Sequence, residues 1–318
     1  MPRLATSSPL HTVAVIPSRY GAERFPGKPL HPIAGIPMVI RVLGRALEAR
    51  RISLVLVATD DERIARAVET AGGRAVMTDP ALASGTDRVW AAVKDLDVEV
   101  VLNVQGDEPL MDPVNIDRVA GFLLEHPEFP LATVALAIDD PAEVANPNNV
   151  KVVRGDDGRA LYFSRAALPY RRRPEPLLPT LKHLGLYGYR KDALRRWTSL
   201  PQHPLERAES LEQLRALAAG MAMAVLDAAS DSIGVDTIED AKRVEEILRK
   251  KEKEPAPRMS EVKGLGPLRG ARSAPLTSDI RGRDLHLSAA ATAAAAYQKK
   301  IQQPDTNRSG NLVAATEV

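Results

Sequence analysis

The sequence has no cysteine at all. That single absence excludes disulfides, thiolate metal sites and cysteine nucleophiles, and it fits a reducing compartment. Long apolar runs are missing too, since none approaches the roughly 18 residues needed to cross a membrane. Met1 to His11 is too short and too polar for a signal peptide. Nor is there an excess of one charge: 43 basic residues face 41 acidic ones, for a net charge of +2. This argues against a dedicated nucleic-acid binder. The small surplus sits at the end, because residues 251–318 hold 11 basic and 7 acidic residues while the preceding 250 hold 32 and 34.

What is present is an alternation of β-branched runs and amphipathic stretches over 318 residues, enough for one large domain or two ordinary ones. Strands are expected at Thr12–Pro17, Leu54–Thr59, Ala75–Met77 and Val98–Val104. Helices are expected at Met38–Arg50, Asp61–Ala71 and Thr86–Lys94, with another opening at Pro113. Strands separated by helices of about ten residues imply βαβ units and a mostly parallel, Rossmann-like α/β sheet with helices on both faces.

Beyond Leu131–Ile138 the pattern changes. Val150–Arg154 and Arg159–Ser164 flank a four-residue turn and read as an inserted β-hairpin. The proline-rich Pro169–Pro179 reads as a loop. Leu184–Tyr189 follows as a strand, Leu205–Ala219 as a helix, Ala222–Leu226 as a strand and Thr237–Lys250 as a final helix. Such an inserted hairpin and loop would supply a lid or a subunit contact. Residues 1–250 therefore read as the folded unit, and 251–318 as a low-complexity, disordered tail, with a docking arm for a partner as the alternative.

The chemistry concentrates at strand ends. After the first strand, Arg19, Arg24 and Lys28 lie in a glycine- and proline-punctuated loop at the edge where open parallel sheets bind ligands. Three converging cations suit a triphosphate; the bland alternative is an ordinary solvated loop. The segment is no P-loop, because five residues separate Gly21 from Gly27 and Pro29 stands where the metal-binding hydroxyl belongs. A dinucleotide fingerprint is absent as well. Asp107, directly after the fourth strand, and Asp236, before the last helix, are candidate Mg²⁺ carboxylates. The plain alternatives are a turn former next to Gly106 for Asp107 and a helix N-cap for Asp236.

Nine strings in register, IPSRYGAERFPGKPL, VATDD, SGTDR, NVQGDEP, NPNNVKVV, ALYFSRAALP, HLGLYGYR, LEQLR and GVDTIEDAKRV, resemble the 3-deoxy-manno-octulosonate cytidylyltransferases, or CMP-Kdo synthetases. The resemblance runs from about Val13 to Leu248. It implies a nucleotide-diphospho-sugar-transferase-like fold and a cytoplasmic homodimer that makes CMP-Kdo and pyrophosphate from CTP and Kdo with Mg²⁺, for lipopolysaccharide synthesis. It assigns Arg19, Arg24 and Lys28 to the triphosphate, and Ala58, Thr59, Asp60, Ser84, Gly85, Thr86 and Gln105 to the cytidine side. Asp107 and Asp236 fall to Mg²⁺, and Arg165, His183, Tyr187, Glu212 and Gln213 to the sugar acid. Arg19, Lys28 and Asp107 would carry the catalysis. Ala22 stands where the family commonly has a serine, which implies weaker CTP binding. Neither nucleic acid nor a membrane is an expected partner. The alternatives are a cytidylyltransferase for an 8-amino Kdo analogue or sialic acid, and a non-catalytic nucleotide-binding relative.

Overall fold

A computed structural model describes residues 10–21, 25–172 and 178–253. In chain order the elements are β1 (Leu10–Ser18), β2 (Pro32–Ile33), β3 (Ile36–Pro37), α1 (Met38–Leu47), β4 (Leu54–Thr59), α2 (Glu62–Thr70), β5 (Ala75–Met77), α3 (Gly85–Val93), β6 (Val98–Val104) and α4 (Pro113–Glu125). There follow β7 (Leu131–Ile138), α5 (Pro141–Ala145), β8 (Lys151–Arg154), β9 (Ala160–Ser164), β10 (Thr180–Arg190) and α6 (Lys191–Ser199). The last are α7 (Pro204–Glu209), α8 (Gln213–Ala218), β11 (Met223–Asp227) and α9 (Ile238–Lys253).

The main sheet runs in the order β11-β7-β10-β6-β1-β4-β5. Pairs β1–β4, β1–β6, β4–β5 and β7–β11 are parallel, whereas β10 lies antiparallel to both β6 and β7. All strands of this path except β10 therefore point the same way, and their C-terminal ends share one edge. From β1 the chain first winds outward through β4 and β5, then returns to place β6 on the other side of β1. The crevice between the ends of β1 and β6 is thus a topological switch point, where ligands of open α/β sheets bind.

Alternation along β1 feeds two cores. Ala14 and Ile16 point into the layer holding Val39, Leu43, Ile64, Val68, Ile116 and Val119 from α1, α2 and α4. Val13 and Val15 point into the opposite layer, with Val89, Val93, Leu194, Trp197 and Leu214 from α3, α6 and α8. Each such fully buried aliphatic contributes roughly 1.5–3 kcal/mol. A third, smaller cluster joins Phe25, Ile33 and Met38 to Val235, Ala241 and Val244, so α9 docks beside the loop that follows β1.

Local chemistry explains the helix starts. Asp61 caps α2 by accepting from Arg63 N. Ser84 and Asp87 form a capping box on α3, and Asp112 caps α4 with Pro113 in the first turn.

The structure corrects two expectations. Leu205–Ala219 is not one helix. Ser210 takes a left-handed conformation (φ 52°) that ends α7, and Glu206 is buried as a capping partner of His203 and an ion-pair partner of Arg215 (2.6 Å). The chain turns there and restarts as α8. The expected hairpin is present as β8–β9, and β8 pairs with β10 and extends the sheet. Asp236 does not cap α9: Thr237 Oγ1 accepts from Asp240 N (3.2 Å) while Asp240 accepts from Thr237 N (2.9 Å). The Asp236 carboxylate accepts from the Lys28 ammonium instead (3.4 Å). The expected tail falls almost wholly outside the described residues, as do Ala22 and Arg24.

Candidate active site

The site begins where β1 and β6 end. A Cβ on Gly106 would lie 2.6 Å from the Pro17 carbonyl oxygen, so the two strand ends approach as only glycine permits. Beyond β1, Gly27 (φ 71°) turns the chain into a short 3₁₀ helix, Lys28–Leu30, which aims Lys28 back at the crevice. The Lys28 ammonium donates to Asp107 Oδ2 at 2.7 Å, to the Val235 carbonyl at 2.8 Å and to Asp236 Oδ1 at 3.4 Å. The backbone closes the same junction, with Val235 N donating to the Asp107 carbonyl (2.9 Å). Positions 28, 107 and 236 thus meet at one point.

A cavity of about 530 Å³ opens over this point. Its walls include Arg19, Lys28, Ser84, Gly85, Gln105, Asp107 and Asp236. Arg88 is also in the wall, and sequence reasoning missed it although it stands in the SGTDR string. Its side chain is almost fully buried, pairing with Asp60 at 2.9 Å and donating to Thr78 Oγ1. Ala58 and Thr59 are fully enclosed, and neither they nor Asp60 line the cavity. Asp60 reaches it through Arg88.

The residues expected to face the sugar acid lie on β9, β10 and the α7–α8 corner. Glu212 links them to the cavity: Oε1 accepts from Ser84 Oγ and Oε2 from Thr86 Oγ1, both at 3.0 Å. Burial raises its pKa, opposed by those two hydroxyls. Gln213 is buried beside it.

On β10, His183 Nε2 and Thr133 Oγ1 are 2.9 Å apart, and Thr133 gives its one hydroxyl proton to the Leu186 carbonyl (2.7 Å). The hydroxyl must therefore accept from His183, which places the ring proton on Nε2 and leaves Nδ1 as an acceptor. Burial depresses the His183 pKa to about 3, so the ring is neutral. Tyr187 packs against His183 and Trp197, and burial raises its pKa well above the ordinary phenol value.

Arg165 leans on backbone oxygens instead of a carboxylate: Nε donates to the Glu209 carbonyl (2.8 Å) and a terminal nitrogen to Pro147 (3.0 Å). Glu108 is a further carboxyl that sequence reasoning passed over. Burial lifts its pKa to about 7, and it accepts from Gly185 N (3.3 Å), joining the loop after β6 to β10.

Among the described residues no group of three or more His, Asp or Glu side chains is arranged to hold a metal. Asp107 and Asp236 remain as a pair of hard-oxygen donors that already share one cation, Lys28.

Residues 13–225 match the cytidylyltransferase family. The chain belongs to that family. A 3-deoxy-manno-octulosonate cytidylyltransferase of Desulfatibacillum aliphaticivorans is 47% identical over 243 residues, covering 76% of this chain and 99% of that protein. An 8-amino-3,8-dideoxy-manno-octulosonate cytidylyltransferase of Shewanella amazonensis is 46% identical over 244 residues, with the same coverage. A solved structure of CMP:2-keto-3-deoxy-manno-octonic acid synthetase complexed with CTP shares 41% identity and a TM-score of 0.72, covering 76% of this chain and 99% of that one. A nucleotidyl transferase from Methanothermobacter thermautotroptrophicus, 15% identical with a TM-score of 0.50 over 76% of this cytidylyltransferase and 99% of its own chain, shares the fold alone.

Proposed function

We propose that this cytidylyltransferase moves CMP from CTP to Kdo, releasing pyrophosphate. The observation that carries the reading is the convergence of Lys28, Asp107 and Asp236 at the mouth of a cavity that Glu212 ties to the sugar side. The anomeric hydroxyl of Kdo attacks the α-phosphorus of CTP. The new O–P bond forms as the bond to the β-phosphate bridging oxygen breaks, and the hydroxyl proton leaves to solvent.

Little covalent work falls to the protein in such transfers, so placement and charge do most of it. Arg19 and Lys28 face the β- and γ-phosphates and stabilise the pyrophosphate as it departs. Ser84, Gly85 and Gln105 face the nucleoside, with Arg88 braced behind by Asp60. Arg24 and Ala22 belong to the same loop by sequence. The neutral His183 accepts a hydroxyl hydrogen bond through Nδ1, while Arg165 pairs with the sugar carboxylate. Tyr187, Glu212 and Gln213 complete the sugar pocket.

Two carboxylates flanking a cation position suit Mg²⁺, which takes one or two protein carboxylates and completes its shell with phosphate oxygens. Asp107 and Asp236 would hold it. When bound, the metal supplies charge neutralisation between phosphate and sugar acid and favours ionisation of the attacking hydroxyl.

Pyrophosphate release with CTP, Mg²⁺ and each sugar acid in turn tests the reading. Turnover with Kdo is the expected result; turnover only with the 8-amino sugar would support the second reading, which the Shewanella relative motivates. Silence with every acidic sugar would overturn both. A homodimer in the cytoplasm, supplying lipopolysaccharide synthesis, completes the proposal, and light scattering of the purified chain tests the assembly. Among the described residues no helix is long and apolar enough to cross a membrane.

A further inference from the structure

Lys151 is a charged residue in a strand, yet its side chain is completely buried. Its ammonium has three protons and spends all three on backbone carbonyls: Asn146 at 2.9 Å, Asn149 at 2.6 Å and Arg165 at 2.7 Å. Among the described residues no carboxylate stands within ion-pair distance of it. Burying a cation without a counter-charge is costly unless every proton is satisfied, so what those three oxygens belong to matters.

Two of them come from the loop between α5 and β8, and the third is the main chain of Arg165. The rest of Arg165 is pinned from the other side. Its N–H donates to Glu209 Oε2 (2.9 Å), whose Oε1 accepts from Ser164 Oγ (2.6 Å). Its guanidinium rests on the carbonyls of Pro147, in the same loop, and of Glu209 and Ser210, at the corner between α7 and α8. Two residues beyond Ser210 stands Glu212, hydrogen-bonded to Ser84 and Thr86.

We infer that Lys151 is a positioning residue for the sugar-acid side of the site: its three hydrogen bonds fix the Asn146–Asn149 loop against the Arg165 main chain and so set the Arg165 guanidinium. The inference rests on the proposed function, because it takes Arg165 to face the sugar. A purely structural lysine would affect stability, or both substrates alike. A positioning lysine separates the two KM values.

The experiment is steady-state kinetics of the full chain with CTP and Kdo, varying each substrate, for wild type, Lys151→Met, Arg165→Ala and the double variant. Lys151→Met keeps the length and bulk of the side chain and removes the charge. The expected result is a sugar KM raised about tenfold or more with the CTP KM unchanged, and a double variant no worse than Arg165→Ala alone. A folded Lys151→Met with an unchanged sugar KM, or with both KM values raised equally, would overturn the inference. Should Lys151→Met not fold, Glu209→Gln loosens the same Arg165 main chain, and the same KM separation decides. Wild type silent with every acidic sugar would instead sink the enzymatic reading on which this rests, an outcome distinct from an active wild type with an indifferent Lys151.

Discussion

Glu212 Oε1 accepts a hydrogen bond from Ser84 Oγ at 3.0 Å across 128 residues of sequence. One belongs to the corner after α7, the other caps α3 at the cavity wall. The carboxylate that would touch the sugar therefore also holds the hydroxyl that would touch the nucleotide. Removing it should be felt on both sides: Glu212→Ala is expected to lower kcat/KM for the sugar by about 100-fold and to raise the CTP KM severalfold. Initial-rate measurements on both axes check this, and a CTP KM at the wild-type value would show that the bridge has no bearing on the nucleotide.

Asp107→Asn keeps the shape of the side chain and removes its charge. Because the site loses a negative charge beside Lys28 while the fold keeps the backbone bond from Val235, turnover should drop by at least about 100-fold with little change in melting temperature. Near-normal kcat at saturating Mg²⁺ would refute the metal role.

Lys28→Ala should act chiefly on CTP, raising its KM about tenfold or more, because the proposed function sets the ammonium against the phosphates and away from the sugar pocket. Unchanged CTP kinetics would remove Lys28 from the mechanism.

His183 gives a pH signature in stability. Its folded pKa of about 3 lies below the ordinary value of 6.5, so between those limits the unfolded chain binds the proton that the folded one refuses. Stability should therefore fall as pH drops through that window, by up to about 1.4 kcal/mol per pH unit from this group. Urea titrations at pH 7 and pH 5 should show a smaller difference for His183→Gln than for wild type; equal differences would place the histidine's titration elsewhere.

Gly106→Ala should be destabilising by about 1–3 kcal/mol, because the added methyl meets the Pro17 carbonyl. Calorimetry of the purified variant measures it, and an unaltered melting temperature would mean that the crevice yields easily.

Much of the sheet could be read directly from the chain, because Leu54–Thr59 and Val98–Val104 are short apolar runs bounded by turn residues, and Pro113 marks a helix start. The direction of β10 could not, since an apolar run carries no sign of which way its neighbours point. The break at Ser210 was hidden for a different reason: serine is no helix breaker, and the left-handed turn there is enforced by the buried Glu206–Arg215 pair, a tertiary effect. The basic loop and the two aspartates announced themselves by standing at strand ends. Arg88, Lys151 and Glu209 did not, because their importance lies in what they brace. A lysine between valines in Val150-Lys151-Val152 was the only local hint.

The lysine at position 28 finds its two carboxylates 79 and 208 residues further along. A nascent chain emerging from the ribosome thus carries the basic loop long before its last acidic partner exists. The pocket at the sheet edge therefore lacks one of its carboxylates until the segment leading into α9 has been synthesised and has docked, and the proposed chemistry has to wait for a late stretch of chain to fold back onto an early loop.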